Sequence, residues 1–219
     1  MPLSRPACHW ICQCADDLPT DRTGISANLM DEPARSIVRV LGIDPGLNTT
    51  GYGCIEIAGG IVRLAEAGVI RGRSRGSLAL RVQEVFAGVR DAIAELRPGV
   101  VALEQLYSHY ARPRTAILMG HARGVICLAA AEAGVSVVHY PATQIKKVLT
   151  GNGRAPKSQM QRAIQLELKL ATLPEPADVA DALAVALTHH YLTPTRELLR
   201  ATAARIGQPQ KARGNVSDE

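Results

Sequence analysis

Between residues 37 and 191 the apolar positions of the chain keep two rhythms, and the switching between them predicts an α/β domain. Residues 37–44 (IVRVLGID) form a short apolar run ending in Asp-Pro-Gly, the pattern of a strand that runs into a turn. Residues 51–58 (GYGCIEIA) and 61–70 (IVRLAEAGVI) read as two more strands joined at Gly59-Gly60, a hairpin signal. Three strands in meander order predict an antiparallel start to the sheet. Leu78, Val82, Val85, Phe86, Val89, Ile93 and Leu96 then fall at helical spacing, and Pro98-Gly99 closes that amphipathic helix. Residues 100–105 (VVALEQ) read as a buried strand. An Ala-rich helix follows over 114–133, stopped by Gly134, and residues 135–140 (VSVVHY) form another strand, closed by Pro141. A helix between the last two strands predicts a parallel pair.

The remaining pattern is helical. A short helix over 142–149 leads into a glycine-rich loop, TGNGRAP, and Pro156 opens a helix over 157–170. A linker at 173–178 precedes the last core helix, over 179–191. Gly120 and Gly124 on the long helix read most simply as points of close packing within the chain. Residues 1–36 carry no periodicity and are expected to be a disordered extension, with Met30 as an alternative translation start. The expected domain is 37–192, and 193–219 thins into a helix remnant and a polar tail.

Composition narrows the class. Of 219 residues, 47% are hydrophobic and 21% charged, which excludes a disordered chain. Aromatics are only 3%, so the core must be built from Ala, Val, Leu and Ile. A net charge of +5 permits a polyanionic partner without demanding one. No apolar run approaches the ~20 residues of a membrane span, and residues 7–14 are too short and broken for a signal core, so a cytoplasmic location is expected. Cys54 and Cys127 lie in apolar periodic segments and read as buried free thiols. Cys8, Cys12 and Cys14 surround His9, but their spacing lacks the paired CxxC units of a structural zinc site, so they read as part of the tail.

Four carboxylates remain to be explained. Asp44 ends a buried strand and precedes Pro45, which holds it in extended geometry at the rim of the sheet; by itself it fits a turn-opening Asp equally well. Glu104 directly follows the apolar residues 100–103, and a charge at the end of a central strand is either paired or functional. Asp178 and Asp181 stand three apart at the start of a helix that is apolar almost all round. Asp178 would serve as an N-cap. Two acids in the first turn of a buried helix nevertheless repel one another unless a cation sits between them. Carboxylates of this kind suit hard divalent cations, and a pair of such ions suits phosphodiester hydrolysis. There is no Walker loop, nucleophile elbow or zinc cluster to suggest other chemistry.

In this order and spacing, LGIDPGLNTTGYG, ALEQLY, QIKKVLTGNGRAPKSQ and PADVADALAVALTHH resemble the RuvC family of bacterial Holliday junction resolvases, over roughly residues 37–191. The resemblance implies an α/β, RNase H-like fold: a five-stranded mixed sheet, three strands antiparallel and two parallel, flanked by helices. It implies a homodimer that nicks two strands of like polarity symmetrically across a four-way DNA junction. It also implies two ions of Mg2+ or Mn2+ per active site, and association with the branch-migration proteins RuvA and RuvB. By motif match, Asp44, Glu104, Asp178 and Asp181 are the catalytic, metal-binding acids. Tyr107 matches an aromatic placed against a base near the junction centre, and Lys146 and Lys157 match basic residues near the DNA or the active site. Arg112 and Arg114, with Arg71, Arg73 and Arg75 of the RGRSR run, are candidate phosphate contacts by charge alone.

Other readings of these segments make different predictions. An actin-like ATPase would explain the phosphate-loop character of DPGLNTTGYG, but it needs two such domains and leaves the Asp178–Asp181 pair without a role. A non-catalytic junction binder has no need of four acids. An RNase H-like nuclease with another substrate would share the chemistry, and LTGNGRAPKSQ favours the junction.

Overall fold

A computed structural model describes residues 37–72, 76–105 and 113–194. Cys8, His9, Cys12, Cys14, Met30, Arg73, Arg75, Tyr107 and Arg112 lie outside the described residues. The strands are β1 (Val38–Asp44), β2 (Thr49–Ala58), β3 (Ile61–Arg71), β4 (Val100–Glu104) and β5 (Ser136–Tyr140). The helices are α1 (Leu78–Leu96), α2 (Pro113–Glu132), α3 (Ala142–Thr150), α4 (Lys157–Glu167) and α5 (Ala177–Leu192).

The strands form one five-stranded sheet in the order β3-β2-β1-β4-β5. The meander β1-β2-β3 is antiparallel, whereas β4 runs parallel to both β1 and β5. Gly59 and Gly60 take φ of 57° and 80°, as a tight hairpin between right-twisted strands requires. The mixed architecture is the expected one.

Alternation along each strand divides the core in two. Leu41, Ile43, Val101 and Leu103 face Val85, Val89 and Ile93 of α1 and Ile126 and Ala129 of α2. Val38, Val40, Val100 and Ala102 face the opposite side, where α5 lies on the sheet with Ile145 of α3 and Met160 and Ile164 of α4. Helix α5 is buried from Val179 to His189 except at Asp181, which fits its nearly continuous apolar sequence.

Several boundaries depart from expectation. Helix α1 is stopped by Arg97 itself, which adopts a left-handed φ of 48° and donates its N–H to the Ile93 carbonyl. Helix α4 ends at Glu167 and not at 170, because Lys169 turns left-handed with φ 52°. Cys54 is buried, as expected, but Cys127 is only half-buried. Gly120 and Gly124 do not pack against the chain: a Cβ at either would meet nothing within 4 Å. Both lie on the outer face of α2, so the packing that would have used them is absent within the described residues.

Candidate active site

Strand periodicity and register bring the first two acids together. Asp44 follows Val40 and Gly42 at two-residue spacing, and Glu104 follows Val100 and Ala102, so both acids project to the α5 side of the sheet. The parallel register Ile43↔Leu103, carried one residue further, sets Asp44 beside Glu104 at the carboxyl ends of adjacent central strands. Such a rim, left open by the departing loops, is where α/β sheets hold reacting groups.

Helix α5 adds the other two acids, and glycine decides how close it comes. A Cβ on Gly42 would fall 2.1 Å from the Ala182 carbonyl oxygen, and one on Gly51 would fall 2.0 Å from that of Asp178. Only hydrogen at these positions lets the helix backbone lie directly on the sheet. The first turn of α5, with Asp178 and Asp181, therefore rests over the rung Asp44↔Gly51. Asp178 is not the N-cap: that position belongs to Pro176, and Asp178 lies inside the first turn without a capping bond. Its presence is thus not explained by capping.

The turn carrying Asp44 is pinned from two sides. The buried Thr50 hydroxyl donates to the Gly46 carbonyl at 2.6 Å and accepts from the Gly46 N–H at 3.4 Å. Arg81 of α1 donates to the Asn48 side-chain oxygen, and the Gly72 N–H donates to the Asn48 carbonyl at 3.0 Å.

Charge is concentrated at this rim. The Asp44 carboxyl is pushed up from an ordinary 3.8 to about 8, mainly by burial and then by Glu104, Asp181 and Asp178, with Lys157 opposing. Glu104 is raised by burial and by Asp181, while Lys146, Lys157 and Arg123 pull it down. The Lys157 ammonium lies 3.2 Å from Asp181 Oδ2 and is raised chiefly by that carboxylate. The cation beside the acidic pair is therefore, in this structure, a lysine. Pro156 serves as the N-cap of α4 and makes Lys157 its first residue, which fixes the direction of that contact.

The donor set fits hard divalent cations: four carboxylates share one partly buried rim, and the mutual repulsion that raises Asp44 is what added positive charge would relieve. Among the described residues, no three carboxylate, imidazole or thiol groups already close into an ion-sized cage.

Comparison with known proteins follows the same lines. The profile of the family described as crossover junction endodeoxyribonuclease RuvC matches residues 40–189. The chain belongs to the RuvC family. A crossover junction endodeoxyribonuclease RuvC of Rhodopirellula baltica is 60% identical over 153 residues, 70% of this chain and 86% of that protein. Among solved structures, Thermus thermophilus RuvC superposes with a TM-score of 0.64 at 34% identity, covering 78% of this chain and 97% of that one. The same protein in complex with Holliday junction substrate gives a TM-score of 0.66 at 33% identity, covering 78% and 96%. The RuvC fold is RNase H-like, and the five-stranded mixed sheet with flanking helices matches it.

Other expected RuvC positions are placed unevenly. Lys157 joins the acids directly, and the Lys146 charge reaches Glu104 from α3. Arg71 is exposed at the end of β3, and Arg114 is exposed in the first turn of α2. Arg123, read in the sequence only as part of the long helix, donates to the Glu104 main-chain carbonyl and stands 3.0 Å from His139 Nδ1. Its one sequence signal is a charge within an otherwise apolar helical stretch.

Proposed function

We infer that this chain is a Holliday junction resolvase in which Asp44, Glu104, Asp178 and Asp181 hold two divalent cations, Mg2+ or Mn2+. The observation that carries the reading is the meeting of these acids at one rim, drawn from three separated segments, with Asp44 pushed up to about 8 by burial and by the other three. Bound there, the two ions would supply activation of water and stabilisation of the leaving oxygen of a phosphodiester.

The chain's own residues do the rest. Gly42 and Gly51 hold the α5 acids against the sheet. Thr50 and Arg81 fix the Asp44 turn. Lys157 is largely exposed beside Asp181, where it offsets the acidic field that would otherwise repel a phosphate. Tyr107, Arg112, Arg114 and Lys146 are the proposed DNA contacts, with Tyr107 stacking on a base and the cations meeting phosphates.

A four-way junction with paired strands of like polarity needs two active sites, hence a homodimer. The outer face of α2 offers the surface for it. Ile117, Gly120, Gly124 and Leu128 are all exposed on successive turns, and the glycines would allow a second backbone close approach. RuvA and RuvB would deliver the junction. Among the described residues no helix is long and apolar enough to cross a membrane, in keeping with an enzyme that works on cytoplasmic DNA.

The test is nicking of a synthetic four-way junction against a linear duplex of the same sequence, in Mg2+ and in EDTA. Paired symmetric nicks on the junction, dependent on Mg2+, are expected. Equal cleavage of the duplex, or cleavage in EDTA, would refute the assignment.

A further inference from the structure

The sheet leaves one backbone group at the active-site rim without a partner. The Gln105 N–H donates to the Tyr140 carbonyl at 2.8 Å, so residue 105 directs its backbone groups toward β5. Backbone groups alternate sides along a strand, and Glu104 therefore directs its own toward β1. In a parallel ladder a carbonyl accepts from the N–H of the residue that follows its cross-strand neighbour. The neighbour of Glu104 is Asp44, one step beyond Ile43↔Leu103, and the residue that follows is Pro45. Proline has no N–H. The Glu104 N–H still faces the Ile43 carbonyl, but the ladder bond that the Glu104 carbonyl would accept from β1 cannot form.

Arg123 occupies that gap. It comes from α2, whose inner face is fixed by the fully buried Ala122, Ile126, Ala129 and Ala130. Its Nη1 donates to the Glu104 carbonyl. Its Nη2 stands 3.0 Å from His139 Nδ1, and because guanidinium only donates, the ring nitrogen accepts. His139 lies beside Leu103 in the β4–β5 register, so one planar side chain ties α2, β4 and β5 together across the last two rungs of that ladder.

We propose that Arg123 is a positioning residue for Glu104, its guanidinium supplying to the Glu104 main-chain carbonyl the hydrogen bond that Pro45 denies to the sheet. The proposal rests on Glu104 acting as one of the catalytic acids. Without Arg123 the Glu104 carbonyl has no donor, the peptide plane beyond it is free to turn, and the Glu104 carboxylate loses its fixed orientation beside Asp44. The cost falls on cleavage and on the metal requirement; junction binding depends on phosphate contacts elsewhere.

The full-length chain is used for the test. Single-turnover nicking of a synthetic four-way junction is measured across a Mg2+ titration, with junction affinity measured in EDTA, for Arg123→Met, Arg123→Lys, Pro45→Ala, the Arg123→Met/Pro45→Ala pair, and Glu104→Gln. Arg123→Met is expected to slow nicking by roughly 10- to 100-fold, the range for a misplaced catalytic group, and to raise the Mg2+ half-saturation, with affinity changed less than about twofold. Arg123→Lys keeps a single donor and should recover much of the rate. Pro45→Ala returns an N–H to β1, so the double variant should cleave faster than Arg123→Met alone. A wild-type rate and Mg2+ dependence in Arg123→Met would overturn the proposal. So would a loss of affinity that matches the loss of rate, which would make Arg123 a DNA contact. If Arg123→Met does not fold, Arg123→Lys decides, since a nicking rate in that variant as low as that of Glu104→Gln, or an affinity lost in step with the rate, also overturns it. Glu104→Gln separates the two levels: continued nicking by it removes the acid assignment, whereas its inactivity with a normal Arg123→Met removes only the role of Arg123.

Discussion

Asp44→Asn should make the metal-free protein more stable while abolishing its activity. The folded Asp44 carboxyl ionises near 8 and the unfolded one near 3.8. Its neutral form is favoured in the fold, so its contribution to stability is complete below the unfolded value and is lost as pH rises through the folded one. At pH 7 the difference spans about 3 pKa units, which at about 1.4 kcal/mol per unit amounts to about 4 kcal/mol of destabilisation in the parent. Asparagine carries no charge at any pH and removes that burden. It must still satisfy its amide, at a cost of about 1–2 kcal/mol, so the net gain expected near neutrality is about 2 kcal/mol. Urea unfolding in EDTA across the pH range measures it directly. The variant should exceed the parent near neutral pH and lose that advantage in acid. Mg2+ should stabilise the parent far more than the variant, since the proposed function has the ion bind the fold through this carboxylate. A variant less stable than the parent at neutral pH in EDTA, or one with the same pH slope, would refute the account of a charge held at cost for metal binding.

Three further outcomes are expected. Asp181→Asn should lower the nicking rate by a factor of roughly 10³ while leaving junction affinity nearly intact, as gel-shift and single-turnover assays would show, because binding rests on phosphate contacts and not on the acids. Gly42→Ala should lower the melting temperature and nicking together, since its Cβ would fall 2.1 Å from the Ala182 carbonyl oxygen and force α5 off the sheet, at about 1–3 kcal/mol. In acid, the buried His189, hydrogen-bonded to Tyr140 at 2.7 Å and pushed down from 6.5 to about 4 by burial and by His190, should draw stability from the fold. The unfolded imidazole takes a proton first, so unfolding becomes easier as pH falls from 6.5 toward 4, and His189→Gln should flatten that slope in chemical denaturation.

Much of the domain was legible in the amino-acid order, because periodicity is a local property. The apolar run into Asp44-Pro45, the Gly59-Gly60 hairpin and the apolar α5 segment each report their own burial within a few residues. Boundaries were less legible where one residue took an unusual conformation: nothing local marks Arg97 or Lys169 as left-handed. Asp178 is ambiguous in the same way, since an acid at a helix start also looks like a cap until the backbone shows Pro176 in that place. Arg123 carries little signal in the sequence because its partner is a main-chain carbonyl nineteen residues away, and a carbonyl leaves no trace there.

Chain order alone carries the elements, the four candidate acids and, through four ordered motifs, the family. Folding is what sets β1 between β2 and β4 and so turns Asp44 and Glu104 into neighbours. It also decided that α5 touches the sheet at Gly42 and Gly51, and that the cation beside Asp181 is Lys157. The reason is physical. Strand and helix patterns are set by neighbours in the chain, whereas register, close approach and the electrostatics of a shared rim arise between segments that meet only after folding.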